Sequence, residues 1–213
     1  MRRMTATFEP TSLDHVALWV DDRGPLATFL CDHLGMHVIE ETDTFTLVGI
    51  DAKLGKLTLF DADGPRQHGA LVRVVLRVAD LEAVLASLPF ATTAQSDGVA
   101  AFEAPAGVPL GLVEARGEQF DLDHVVLGLS DPESATRELV AMGFERRADG
   151  NRPLLNHLAL LVDDARGIQD EAKGAGLEID DVKDAKNTFA VFLRGPEGVR
   201  IEYVEHKPGF ALV

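Results

Sequence analysis

Histidine recurs as the second residue of three near-copies of one segment. The copies are Asp14-His15-Val16-Ala17-Leu18-Trp19-Val20-Asp21, Asp123-His124-Val125-Val126-Leu127-Gly128-Leu129-Ser130 and Asn156-His157-Leu158-Ala159-Leu160-Leu161-Val162-Asp163. A fourth copy, Val72 to Ala79, has Arg73 at that place. Imidazoles repeated at one register position suggest a metal site. The third and fourth segments in chain order, with a glutamate near the chain end, supply two nitrogens and a carboxylate.

The segments themselves are Val- and Leu-rich runs with the alternating or continuous apolar pattern of half-buried or buried strands. A helix-compatible stretch follows each: Gly24–Leu34 stopped by Gly35, Asp80–Leu88 stopped by Pro89, Asp131–Leu139 ending at Gly143, and Ala165–Lys173 ended by Gly174 and Gly176. Strands are then expected over 36–41, 44–50 and 56–60 in the first unit, 98–103 and 108–114 in the second, and 188–193 and 199–205 in the fourth. Gly195-Pro196-Glu197-Gly198 makes the last turn. The repeating unit is therefore strand, helix, then up to three strands. Counting from Asp14, Val72, Asp123 and Asn156, successive copies are 58, 51 and 33 residues apart. The last interval is too short for a full unit. Phe144-Glu145-Arg146-Arg147 supplies one strand and the third module is truncated.

Bulk properties set outer bounds. The 213 residues suffice for one large or two small domains. The net charge of −15 opposes nucleic-acid binding. No apolar run approaches the ~20 residues of a membrane-spanning helix. Cys31 is the sole cysteine, which fits a reducing compartment. The basic Met1-Arg2-Arg3 start lacks a following apolar stretch, so no signal peptide is expected and a cytoplasmic location is.

The repeated unit, with Leu-Asp-His at a strand start and Gly-Pro-Glu-Gly-Val-Arg-Ile-Glu-Tyr near the end, resembles the vicinal oxygen chelate superfamily of glyoxalase I, bleomycin-resistance proteins and extradiol dioxygenases. The resemblance covers essentially the whole chain. It implies an α+β fold of βαβββ modules, paired into two curved mixed-sheet half-barrels flanked by helices. The boundary is expected near Arg116 to Gln119, giving domains 1–116 and 117–213. In the two-domain dioxygenases the resemblance implies metal ligands at positions that here read His124, His157 and Glu202. The N-terminal half reads His15, Arg73 and Gly111 at the matching places, one ligand type of three. His15 is accordingly expected to be a hydrogen-bonded core residue.

Two imidazoles and one carboxylate are the ligand set of non-haem Fe(II) oxygenases, and Mn, Ni, Co or Zn accept similar ligands. The expected activity is ring cleavage of a catechol-like, vicinal-oxygen small molecule bound through two oxygens. The alternatives are a glyoxalase-type isomerase or lyase and a metal-free binding protein. The family's acid–base Tyr and His, ten and nineteen residues before Glu202, are here Phe192 and Lys183. Tyr203, His206 and Asn187 are the expected substitutes. Alternation along 201–206 puts Glu202, Val204 and His206 on one face, with His206 at the cavity rim as a proton shuttle. A homodimer is expected to cover the strand edges left by the short third module.

Overall fold

The computed structural model describes residues 8–50, 55–94, 98–115, 122–128 and 154–210. The first module comprises β1 (Ser12–Val20), α1 (Arg23–Leu34), β2 (His37–Glu41), β3 (Phe45–Gly49) and β4 (Lys56–Asp61). The second comprises β5 (Leu71–Val78), α2 (Leu81–Ser87), β6 (Thr93–Ala94), β7 (Ala100–Ala104) and β8 (Val108–Glu114). Of the third, β9 (Leu122–Leu127) is described; the expected helix at 131–143 and strand at 144–147 lie outside the described residues. The fourth comprises β10 (Leu155–Leu161), α3 (Ala165–Ala175), β11 (Ile179–Asp184), β12 (Thr188–Arg194) and β13 (Arg200–His206).

Local chemistry accounts for these elements. An aspartate just after each strand caps the following helix: Asp22 accepts from the Gly24 N–H, Asp80 from Ala83 and Asp164 from Gly167. Gly35 and Gly176, both at φ 70°, close α1 and α3 in the left-handed region where a Cβ is disfavoured. Two strands were not foreseen from the pattern, β6 and the polar β11 (Ile-Asp-Asp-Val-Lys-Asp). The latter is an edge strand, and its charges suit an edge.

Two mixed sheets form, in the orders β11-β12-β13-β10-β1-β4-β3-β2 and β6-β7-β8-β5-β9. The larger is made of modules one and four, and the smaller of modules two and three. The expected division at 116/117 therefore does not separate the sheets, because each takes strands from both sides of it. The sequence spacing supplies a physical reason. Module three is too short to build a full far limb, so pairing it with module four would leave that sheet one-sided. Module one brings all four strands, and β1 joins β10 antiparallel at the centre of an eight-stranded sheet.

On either side of that central pair the neighbours are parallel: β1 with β4 and β10 with β13. Val16 pairs with Leu158, Val16 with Leu57 and Leu158 with Ile201, so an approximate twofold relates module one to module four. One face of this sheet, including Leu18, Leu57, Leu158, Ile201 and Tyr203, belongs to a hydrophobic cluster that continues into the second sheet. The opposite face carries a separate small cluster of Ala159, Ala190, Phe192 and Val204. Small side chains on that face leave a trough.

Because β1 and β10 need each other, neither half of the chain can complete a sheet alone. Expressed separately, 1–116 and 117–213 should each lack dispersed amide resonances and mixing should restore them. A 117–213 fragment that folds by itself would contradict this pairing.

Candidate metal centre

Adjacent residues on a regular strand point to opposite faces. At the start of β1 this rule is broken usefully. Leu13 pairs with Leu160 and His15 with the next residue, Ala159, leaving Asp14 as an extra residue in a bulge. Asp14 can then reach the ring beside it, and His15 Nδ1 donates to Asp14 Oδ1 at 2.7 Å. The same irregularity recurs on β10. Ala17 pairs with His157 but Leu18 with Leu155, and His157 Nδ1 donates to Asn156 Oδ1 at 3.0 Å. With both Nδ1 atoms donating, both Nε2 atoms are left as ligand-type lone pairs.

Those lone pairs meet. His15 Nε2 lies 3.1 Å from His157 Nε2. Glu202 Oε2, from β13, lies 2.8 Å from His157 Nε2 and 3.4 Å from His15 Nε2. Among the described residues this is the one group of three or more His, Cys, Asp or Glu side chains arranged to hold a metal ion. His157 and Glu202 are buried and His15 nearly so. The donor set and spacing fit a divalent cation, and three acceptor atoms this close need a positive charge among them, either such an ion or a proton on His15.

The expected ligand set is therefore corrected at one position. His124 is on β9, opposite Val75 of β5, in the other sheet. Its ring is 44% exposed and bonded to Asp123. His15, expected to be a core residue, takes its place because module four pairs with module one. Tyr203 is also relocated. Strand alternation turns it away from Glu202 into the core, fully buried and edge-on to Phe8. Burial raises its phenol pKa well above the ordinary value. Tyr203 does not face the trough.

The approximate twofold makes Thr58 the counterpart of Glu202, since they follow Leu57 and Ile201. The centre thus has two imidazoles but one carboxylate. The second sheet repeats the framework without the ligands. Arg73 and His124 stand at the paired-strand positions and Gly111 at the Thr58/Glu202 position. The Arg73 stem fills the space a side chain would need, its Cδ lying 2.8 Å from where a Gly111 Cβ would be.

Around the centre, Asp14 is a hub that residue patterns did not single out. It is buried and accepts from His15, from Lys56 Nζ at 3.0 and 3.1 Å, and from His206 Nε2 at 3.0 Å. Burial pushes its carboxyl pKa up. The His15 and His206 hydrogen bonds, with the charges of His15 and Lys56, more than offset that and hold it well below the usual range. The available signal was the Asp or Asn preceding every repeated His. Lys56, itself buried, carried no such signal.

The pocket above these residues has a volume of about 290 Å³. Phe45, Leu47, Phe60 and Val204 make its apolar walls, and Thr58, His206 and Lys183 its polar ones. Lys183 pairs with Asp181 at 2.8 Å, 63% exposed. Phe192 packs edge-on against His157 and offers no proton. Asn187 does not line this pocket; its carbonyl instead accepts from Lys207 N–H.

Protonation sets how the centre loads. For His15, burial lowers the pKa, but bonds to Asp14 and Glu202 outweigh it and raise the value to about 9. Burial lowers His157 despite its bond to Glu202. Burial favours the neutral form of Glu202, but the two imidazoles outweigh it and bring the carboxyl to about 2. Without metal, the His15 proton holds the three groups together. Its stabilisation is full below the unfolded value of 6.5 and is lost as pH rises through about 9. Metal must displace that proton. Its affinity should rise about tenfold per pH unit between pH 7 and 9 as the metal-free protein loses thermal stability. Competition titration against a chromophoric chelator measures this, and a flat profile would contradict it.

Known structures of similar shape carry the same architecture. A putative dioxygenase from Bacillus subtilis superposes with a TM-score of 0.76 at 17% identity, over 95% of this chain and 87% of that one. Glyoxalase I from Zea mays gives 0.69 at 14% identity, over 91% and 92%. The cppA protein from Streptococcus pneumoniae gives 0.63 at 17%, over 92% and 100%. A search of curated protein sequences finds no significant match. The family model for the Glyoxalase/Bleomycin resistance protein/Dioxygenase superfamily matches residues 12–203, nearly the whole of the repeated architecture, and the chain belongs to that superfamily.

Proposed function

We propose that this chain is a metal-dependent enzyme that cleaves the ring of a catechol-like small molecule. His15, His157 and Glu202 would hold a divalent cation, Fe(II) foremost. The observation that carries this reading is the charge of the donor set. Two imidazoles and a single carboxylate, with Thr58 at the symmetric fourth position, leave an Fe(II) site with a net charge of about +1 and open positions. Such a cation supplies Lewis acidity for two neighbouring substrate oxygens and, as Fe(II), a path for electrons from substrate to O₂.

The chain's own groups do the rest. The apolar walls of Phe45, Leu47, Phe60 and Val204 bind a ring and exclude water. His206 gives its Nε2 hydrogen bond to Asp14, which leaves Nδ1 as the accepting atom for a substrate hydroxyl proton. Asp14 then stabilises the imidazolium that results, in the role of a base-orienting carboxylate. His206 is thus the proposed acid–base residue in a site whose Phe192 and Lys183 do not supply the family's usual groups.

A glyoxalase-type isomerase would be expected to use a carboxylate to move the proton, and Thr58 rather than an acid stands at the symmetric position. A metal-free binding protein would pair Glu202 with an arginine. Here the partners of Glu202 are imidazoles, while Arg200 bonds to Asp180 and lies over the Phe192 ring.

Among the described residues no helix is long and apolar enough to cross a membrane. Fe(II)-loaded protein should consume O₂ in the presence of catechol and form a yellow ring-cleavage product, followed at an oxygen electrode and by absorbance. Turnover of a vicinal-oxygen substrate that proceeds unchanged under strict anaerobiosis would overturn the oxidative reading in favour of isomerisation.

A further inference from the structure

Beyond β13 the chain turns back. Phe210 N–H donates to the Lys207 carbonyl at 3.0 Å, with Gly209 at φ 84° in the bend. The turn is anchored at its base. Lys207 N–H donates to the Asn187 carbonyl at 2.8 Å, and Lys207 Nζ reaches both Asp184 and the Ala185 carbonyl. This geometry delivers the Phe210 ring to the trough, where it lines the pocket.

The ring has a neighbour from each limb of the sheet. It stacks on His206 of β13, with centroids 4.1 Å apart and planes at 12°. The Lys56 ammonium, at the start of β4, lies 6.0 Å from its centroid. In strand order β13 and β4 flank the central β10–β1 pair on opposite sides. Phe210 therefore bridges the trough at the end where Asp14 lies, bonded to both Lys56 and His206. Contacts with a cation and with a stacked imidazole hold the ring in one orientation.

We infer that Phe210 is a specificity-determining residue, the end wall against which the substrate ring packs and which excludes bulky ring substituents. This rests on the proposed catechol-like occupant. At about 290 Å³ the pocket is at the small end for a bound organic molecule, so removing one wall changes what fits. With one face of Phe210 taken by His206, the ring offers its edge or its other face, and either gives an aromatic contact that an aliphatic wall lacks.

The test uses full-length, metal-loaded protein and two probes, catechol and 4-tert-butylcatechol, with binding followed by titration calorimetry. Wild type should bind catechol and discriminate against the bulky probe. Phe210→Ala should weaken catechol binding and narrow the ratio of the two affinities, each by about tenfold. Phe210→Leu, which keeps bulk but not the flat face, should weaken catechol binding while keeping most of the ratio. The ratio does not depend on the fraction of protein folded, so a less stable variant still reports. An unchanged ratio in Phe210→Ala overturns the assignment of the wall. Wild type that holds metal yet binds neither probe overturns the catechol reading, and the wall with it.

Discussion

Three electron-rich atoms face one another on the pocket-lining side of this sheet, and nothing in the hydrophobic effect would put them there. Two bare imidazole nitrogens and a carboxylate oxygen within 3.4 Å repel unless a positive charge lies among them. A proton on His15 can supply that charge, and so can a metal ion. The proton is the weaker solution, because it bonds to at most two partners while an ion contacts all three. The features closest to the centre serve this requirement. Small alanines at 17 and 159 keep the face open, and buried Asp14 and half-buried Asn156 fix the ring tautomers. Lys56 keeps the Asp14 charge compensated below the surface.

Position follows from two geometrical devices. Bulges let a residue and its neighbour share a face, so each His arrives with its own orienting side chain. The approximate twofold then brings two such strands together antiparallel at the centre, with β4 and β13 parallel on the flanks. Among the described residues the second sheet has the same frame and no comparable donor set. A glycine and an arginine stem replace the acid and one imidazole there. The frame permits chemistry, and a few substitutions decide whether it occurs.

Much of this was legible in the residues. Apart from β6 and β11, strand and helix positions followed from apolar periodicity and from Asp and Gly at helix ends, and all three described helices lie where the pattern put them. His157, Glu202 and the inward His206 followed from register and alternation. The partnership of modules did not, because strand pairing is a long-range choice and the four segments look alike locally. Chain order suggested one with two and three with four, which sent the second imidazole to His124. The 33-residue interval held the corrective. An interval that short leaves little room for the last strands of a full module, and module one was the remaining full-length partner whose first strand also carries His. Tyr203 was misplaced for a simpler reason, since it neighbours Glu202 in sequence and so takes the opposite face. Asp14 was visible in every Asp-His or Asn-His pair, but its value depends on a bulge that no local pattern announces.

The central claim is that the two imidazoles come from the first and the fourth modules. Elemental analysis of Fe(II)-reconstituted, desalted wild type, His15→Ala and His124→Ala tests it most directly. Wild type and His124→Ala should each retain about one ion per chain, and His15→Ala should retain almost none. Iron kept by His15→Ala and lost by His124→Ala would contradict the account.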